Sequence, residues 1–195
     1  MAEPAIRRMA LEEFLRWENG TDTRYELIDG FPVAMAPPAE AHRILAARFV
    51  SRIDAALASR RPCNAQIEPG VVRPDRAASY YVPDIAVTCE PNEPGRQAMV
   101  DPILIVEILS PSMERSDRRL KMSAYQKLDR VREIMLIDAD SYHAELYRRE
   151  NDHWGIQLVR GAESVLSLAS VDLRISMSDL YEGIAILAIA ADAGS

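Results

Sequence analysis

The segment PILIVEIL (102–109) constrains the fold more than any other stretch of the chain. Its apolar residues, 103–106 and then 108–109, read as a strand buried on both faces, as in the middle of a helix-covered sheet. After it a helix opens at Ser116 or Asp117 and runs to about residue 130, with Leu120, Ala124, Leu128 and Val131 spaced to bury one face. REIMLID (132–138) is a second buried strand. Strand, helix and strand in that order predict a right-handed parallel crossover. Glu107 interrupts the apolar run, and an ionised carboxylate there is costly unless it is paired or bound to a metal.

The elements around this crossover predict a mixed α/β or α+β sheet. ALEEFLRWE (10–18) reads as a short amphipathic helix with Leu11, Phe14, Leu15 and Trp17 toward the body. RYELIDGFPVAMA alternates polar and apolar residues about Asp29-Gly30, a strong hairpin signal. Residues 40–60 carry Ile44, Leu45, Phe49, Ile53 and Leu57 at helical spacing, the longest helix expected. CNAQIEPGVV (63–72) and YYVPDIAVTC (80–89) read as strands ahead of PILIVEIL. AELYRRE, WGIQLVR and VLSLASVDLRIS follow as shorter ones, the last leading into MSDLYEG. Helix, three strands, helix, strand is the central order, and helices must then pack on the sheet.

A chain of 195 residues, 48% hydrophobic and 27% charged, has no low-complexity tract and is expected to fold throughout. One domain is expected over 1–195, with its core at about 20–150 and residues 184–195 forming a packing helix or a frayed end. The formal net charge of −7 argues against binding nucleic acid with the whole surface; a local basic patch or bound cations would have to hold a phosphate backbone. Cys63 and Cys89 have neither zinc-site spacing nor a disulfide framework, so buried thiols in a reducing cytosol are expected. No secretory signal opens the chain, and the apolar stretch 184–193 is too short to span a bilayer. A soluble, cytoplasmic protein without a membrane partner is the expectation.

The residues able to carry chemistry are few. Asp84 and Glu107 lie on strands that, if adjacent, bring both acids to one sheet edge. There a hard divalent cation takes oxygen ligands and keeps several waters, with the Ile108 carbonyl as a further donor. A salt bridge or an exposed strand edge would explain either acid equally well. Asp117, Lys121 and Tyr125 fall at i, i+4 and i+8 along one helix face. That face can aim the ammonium at the carboxylates, where it would orient a water or offset developing phosphate charge; a solvated Asp117–Lys121 pair is the plainer alternative. Glu26, ahead of the hairpin, and His42, in the first turn of the long helix, complete the set, as a third acid and as a proton relay or phosphate contact. No Gly-rich phosphate loop, GxSxG elbow or HExxH motif is present.

YELIDG (25–30), His42, VPDIAV (82–87), VEILSPS (106–112), Asp117, Lys121, Tyr125 and REIMLID (132–138), in this order, resemble the Uma2 family. The resemblance covers roughly residues 10–150. It implies a restriction endonuclease-like PD-(D/E)xK fold, an αβββαβ core with an N-terminal helix and hairpin and extra C-terminal strands. It also implies a Mg²⁺- or Mn²⁺-dependent endonuclease acting on DNA, with Asp84 and Glu107 as metal ligands beside Ile108. Leu109 stands where the motif's lysine usually falls, and the family pattern moves that role to Lys121 on the following helix. Glu26 matches the extra N-terminal acid. His42, Tyr125 and Asp117 then contact substrate or support the ligands. Met113 replaces a usual threonine and Ile134-Met135 replace Tyr-Trp, all at packing positions. A homodimer is expected of a nuclease cutting both strands. The alternatives are a non-catalytic interaction or DNA-binding protein on the same fold, and a hydrolase of small phosphate esters.

Overall fold

The computed structural model describes residues 7–18, 20–73, 78–109 and 115–186, with the backbone alone for 115–118. In chain order the elements are α1 (Leu11–Phe14), β1 (Tyr25–Ile28), β2 (Phe31–Ala34), α2 (Glu40–Ala56), β3 (Asn64–Ile67), β4 (Val71–Val72), β5 (Tyr80–Tyr81) and β6 (Ile85–Thr88). They continue with β7 (Pro102–Leu109), α3 (Arg115–Tyr125), β8 (Glu133–Asp138), β9 (His143–Glu150), β10 (His153–Arg160), β11 (Val165–Leu168), β12 (Leu173–Ser176) and α4 (Met177–Leu180).

A six-stranded sheet in the order β10-β9-β8-β7-β6-β3 forms the centre, and only the β7–β8 pair in it is parallel. The parallel pairing of the expected crossover therefore forms, with α3 between its strands. The αβββαβ core is α2, β3, β6, β7, α3 and β8. A smaller sheet, β2-β1-β5-β4, stands beside it, and β11-β12 pair as a separate hairpin. The Asp29-Gly30 turn forms as expected, both residues having positive φ (49° and 87°), the geometry a two-residue hairpin needs.

Two expected strands are each broken and shared between sheets. Residues 63–72 divide into β3 and β4 because Glu68 turns to positive φ (47°) ahead of Pro69-Gly70. At Gly70 a Cβ would overlap the Tyr80 ring, so only glycine lets β4 meet β5 there. Residues 80–89 divide into β5 and β6 at Val82-Pro83-Asp84, where the proline cannot donate to a ladder. This second break matters for function, because it leaves Asp84 just outside β6.

One face of the central sheet packs on α2 through Leu45, Phe49, Ile53 and Leu57, all fully buried. The other packs on α3 through Ala124 and Tyr125, and on Leu128 just past its end, against Ile105, Ile134 and Leu136. Two helix positions differ from expectation. Ile44 and Leu120 are 38% and 40% exposed, while Lys121 is buried to 6%. Burial on α3 follows 121, 122, 124 and 125, so the buried stripe is turned by one residue and carries the lysine inward. Helix α3 starts at Arg115, a residue or two before the expected start, within the usual uncertainty of a helix end.

The cysteines also differ. Cys63 and Cys89 form a disulfide rather than free thiols. The antiparallel register Asn64↔Thr88 places the two residues opposite each other one step past the strand ends, a proximity that sequence spacing does not reveal. The inference from free thiols to a reducing compartment therefore falls. Of residues 184–195, Ile184 to Ile186 are not helical, and the expected packing helix or frayed end otherwise lies outside the described residues. Among the described residues no helix is long and apolar enough to cross a membrane.

Candidate active site

Ile85 on β6 pairs with Val106 on β7, so the next step outward sets Asp84 against Glu107. Because β6 stops there, the main chain of β7 has no further ladder partner on that side, and Asp84 supplies one. Its Oδ2 accepts the Ile108 N–H at 2.6 Å. Its Oδ1 lies 3.0 Å from His42 Nε2, which projects from the first turn of α2. Both side chains are 13% exposed. Asp84 must accept at this contact, so Nε2 carries the proton. His42 Nδ1 is buried and has no hydrogen-bond partner among the described residues.

Glu107 is buried to 4%. Its Oε1 accepts the Tyr125 hydroxyl at 2.6 Å and lies 3.7 Å from Lys121 Nζ. Lys121 is 3.0 Å from Glu26 Oε1, and that same oxygen accepts the Val82 N–H at 2.7 Å. Lys121 and Tyr125, one turn apart on α3, thus both reach Glu107. Asp117, the third residue of that row, has its side chain outside the described residues. Tyr125 is wholly buried, with its ring edge-on to Tyr81 at 5.9 Å and its hydroxyl on Glu107.

Three carboxylates, Glu26, Asp84 and Glu107, thereby gather about the Lys121 ammonium and the His42 imidazole. Burial pushes the Glu107 carboxyl up to about 8. Lys121 and the Tyr125 hydroxyl pull it down, and the Asp84 and Glu26 carboxylates push it further up. Tyr125 is raised as well, by burial first and then by Glu107. The site favours an added positive charge, whether proton or cation.

Glu133 shows what a satisfied buried acid looks like in the same sheet. It sits on β8, is 2% exposed, and accepts from Arg148 Nε (2.8 Å), Ser170 N (2.8 Å) and Ser170 Oγ (2.6 Å). Sequence alone gives it no role beyond its place in a packing strand. Its partners come from β9 and from the turn after β11, and they fasten that hairpin to the sheet.

Among the described residues no three His, Cys, Asp or Glu side chains form a metal cage. Two carboxylates and a main-chain carbonyl, completed by waters, are however what a magnesium-like ion takes. Ile108 directs its N–H toward Asp84, and N–H and C=O of one strand residue leave the strand on the same side. The donor set therefore fits a hard divalent cation. A cleft of about 250 Å³ lined by Pro38, His42, Arg43, Ala46, Ile67 and Asp84 opens beside it.

The family model described as "Putative restriction endonuclease", Uma2, matches residues 11–178. The chain belongs to the Uma2 family. The uncharacterized protein slr1290 of Synechocystis sp. (strain ATCC 27184 / PCC 6803 / Kazusa) is 28% identical over 186 residues, covering 91% of this chain and 94% of that protein. The uncharacterized protein sll1609 of the same organism is 32% identical over 77 residues, covering 38% of this chain and 44% of its own length. The crystal structure of "a putative nuclease belonging to DUF820" from Anabaena variabilis ATCC 29413 superimposes with a TM-score of 0.72 at 22% identity. That superposition covers 89% of this chain and 97% of the other. The Uma2 chain described here thus has the mixed α+β fold of that protein.

Proposed function

We propose that this Uma2 protein is a Mg²⁺- or Mn²⁺-dependent endonuclease that hydrolyses DNA phosphodiester bonds. The observation that carries the reading is the meeting of Asp84 and Glu107 at the end of the β6–β7 pair, with Lys121 buried against Glu107 and Glu26. Asp84, Glu107 and the Ile108 carbonyl make the oxygen set that a hard divalent cation takes, and Lys121 stands beside Glu107.

Asp84, Glu107 and the Ile108 carbonyl would hold the metal. When bound, it would polarise the phosphodiester and lower the pKa of an attacking water. His42 holds the Asp84 carboxylate from one side and the Ile108 N–H holds it from the other, so that acid is fixed before any ligand arrives. Tyr125 does the same for Glu107. Lys121 brings a charged donor beside the acids, where it orients the attacking water or offsets charge building on the phosphate oxygens. Glu26 holds Lys121 in place. With a net charge of −7, DNA contact relies on local cations, and Arg119, exposed on α3, is one candidate.

Cleavage of supercoiled plasmid and of a single-stranded oligonucleotide, with Mg²⁺, Mn²⁺ or chelator, tests the reading. Metal-dependent nicking that falls by about 10²-fold or more in both Glu107→Ala and Lys121→Ala supports it. A folded parent protein that cuts neither substrate in any metal overturns it.

A further inference from the structure

Among the described residues strand β10 is the outer strand of the central sheet, and along most of its length its own sequence lacks the usual guards of an edge. It runs eight residues in unbroken register with β9 and contains neither proline nor lysine. Its sequence, HWGIQLVR, sets Trp154, Ile156, Leu158 and Arg160 on one face. Ile156 and Leu158 are 61% and 51% exposed. Helix α3 covers this face of the sheet at β7 and β8 and does not reach them.

The ladder decides which main-chain groups point outward. Gly161 N–H bonds Tyr142 O across the end of the β9–β10 pair, so 161 is a hydrogen-bonded position and odd residues of β10 face β9. Arg149, opposite Trp154, sends its N–H the other way, to Arg132 O. The N–H and C=O groups of 154, 156, 158 and 160 are therefore those at the open edge. An antiparallel partner must pair even residues with even residues.

We propose that β10 pairs with β10 of a second copy about a two-fold axis through Gln157, joining two central sheets into one. Of the registers that this parity allows, the one centred on Gln157 engages all four outward positions, whereas a shift by one in either direction leaves one of them unpaired. It sets Ile156 against the partner's Leu158 and the reverse, so the exposed apolar residues cover each other. Trp154, whose ring already carries Arg149 at 4.6 Å, comes opposite the partner's Arg160, and Asp152 at the hairpin tip lies diagonal to that same arginine. No like charges stand directly opposite. The acidic tip and the basic end of one strand thus complement each other only in the antiparallel sense, which is the sense a two-fold requires. The interface lies three strands from β7, so both candidate sites stay open, and the proposal is independent of the nuclease reading.

Sedimentation velocity of the full chain over a wide concentration range tests it, beside Ile156→Lys and Gln157→Cys. The parent chain is expected to dimerise, and Ile156→Lys, at an exposed position, to weaken dimerisation by about tenfold or more with its melting temperature retained. Cys63 and Cys89 being joined, Gln157→Cys carries one free thiol, which faces its own copy across the axis. Mild oxidation should give a covalent dimer from this variant and not from Asn92→Cys, in the exposed loop between β6 and β7 toward the other edge of the sheet. A parent chain that stays monomeric overturns the proposal and leaves the edge to a strand of another protein. So does a dimer indifferent to Ile156→Lys, or a Gln157→Cys variant that does not cross-link.

Discussion

The Tyr125 hydroxyl donates to Glu107 Oε1 at 2.6 Å in a setting where neither side chain meets bulk water. That one bond ties α3 to the acid on β7. Tyr125→Phe keeps the ring and its packing on Tyr81 while removing the donor. It should cost about 1–3 kcal/mol of stability in urea unfolding, as for a buried carboxylate losing a partner. Metal affinity, read by titration calorimetry, should fall about 10- to 100-fold.

Glu107 also sets a pH dependence for the metal-free protein. Its proton affinity is higher folded than unfolded, raised to about 8 by burial, so the folded state favours the protonated acid. Its contribution is then fully present below the ordinary carboxylate range and is lost as pH rises through about 8. Measured in chelator, the parent chain should lose melting temperature relative to Glu107→Gln between about pH 5 and 8. Saturating Mg²⁺ should shrink that loss. Parallel curves for the two proteins would refute the assignment.

Glu133 gives the contrasting case. Glu133→Gln weakens the bonds from Arg148 and Ser170 and should lower stability by about 1.5–3 kcal/mol. At a temperature where the variant is folded, plasmid cleavage should match the parent. A buried acid that matters to folding alone is thereby separated from one that matters to chemistry.

The Cys63–Cys89 bond closes the loop from β3 to β6. Cys63→Ser with Cys89→Ser should cost about 2–4 kcal/mol, read by urea unfolding of the pair of proteins in parallel. Thiol titration of the denatured, unreduced parent chain should find no free sulfhydryl. Two free sulfhydryls would remove the bond.

Much of the fold is legible in the sequence because it rests on local signals. Asp29-Gly30 announces its turn, the apolar residues of α2 repeat at one period, and β7, α3 and β8 are long enough to declare their type. The breaks at Glu68-Pro69-Gly70 and at Pro83 are harder to see, because strand propensity continues across both and only the competition of two sheets separates the halves. The phase of α3 misleads at Leu120 because hydrophobicity is not the sign of the buried side there. The acids on the sheet reward a buried lysine and a tyrosine instead. Asp84, Glu107, Lys121 and Glu26 can be named from motif order, and their meeting follows from register. The Ile108 N–H on Asp84 and the cysteine pairing depend on where β6 starts and stops, which no single segment encodes.

Glu26 belongs to the small sheet, whereas Asp84 and Glu107 belong to the end of the large one. The lysine between them is thus gripped from two separately built bodies, and the turn at Asp29-Gly30 anchors the smaller through Met9, Ala78 and Ser79. The two bodies share a core, since Val71 and Tyr81 of the small sheet pack with Tyr125 and Ile105, so the grip on the lysine depends on that packing. Any partial opening that frees the small sheet is therefore expected to take Glu26 away from the lysine.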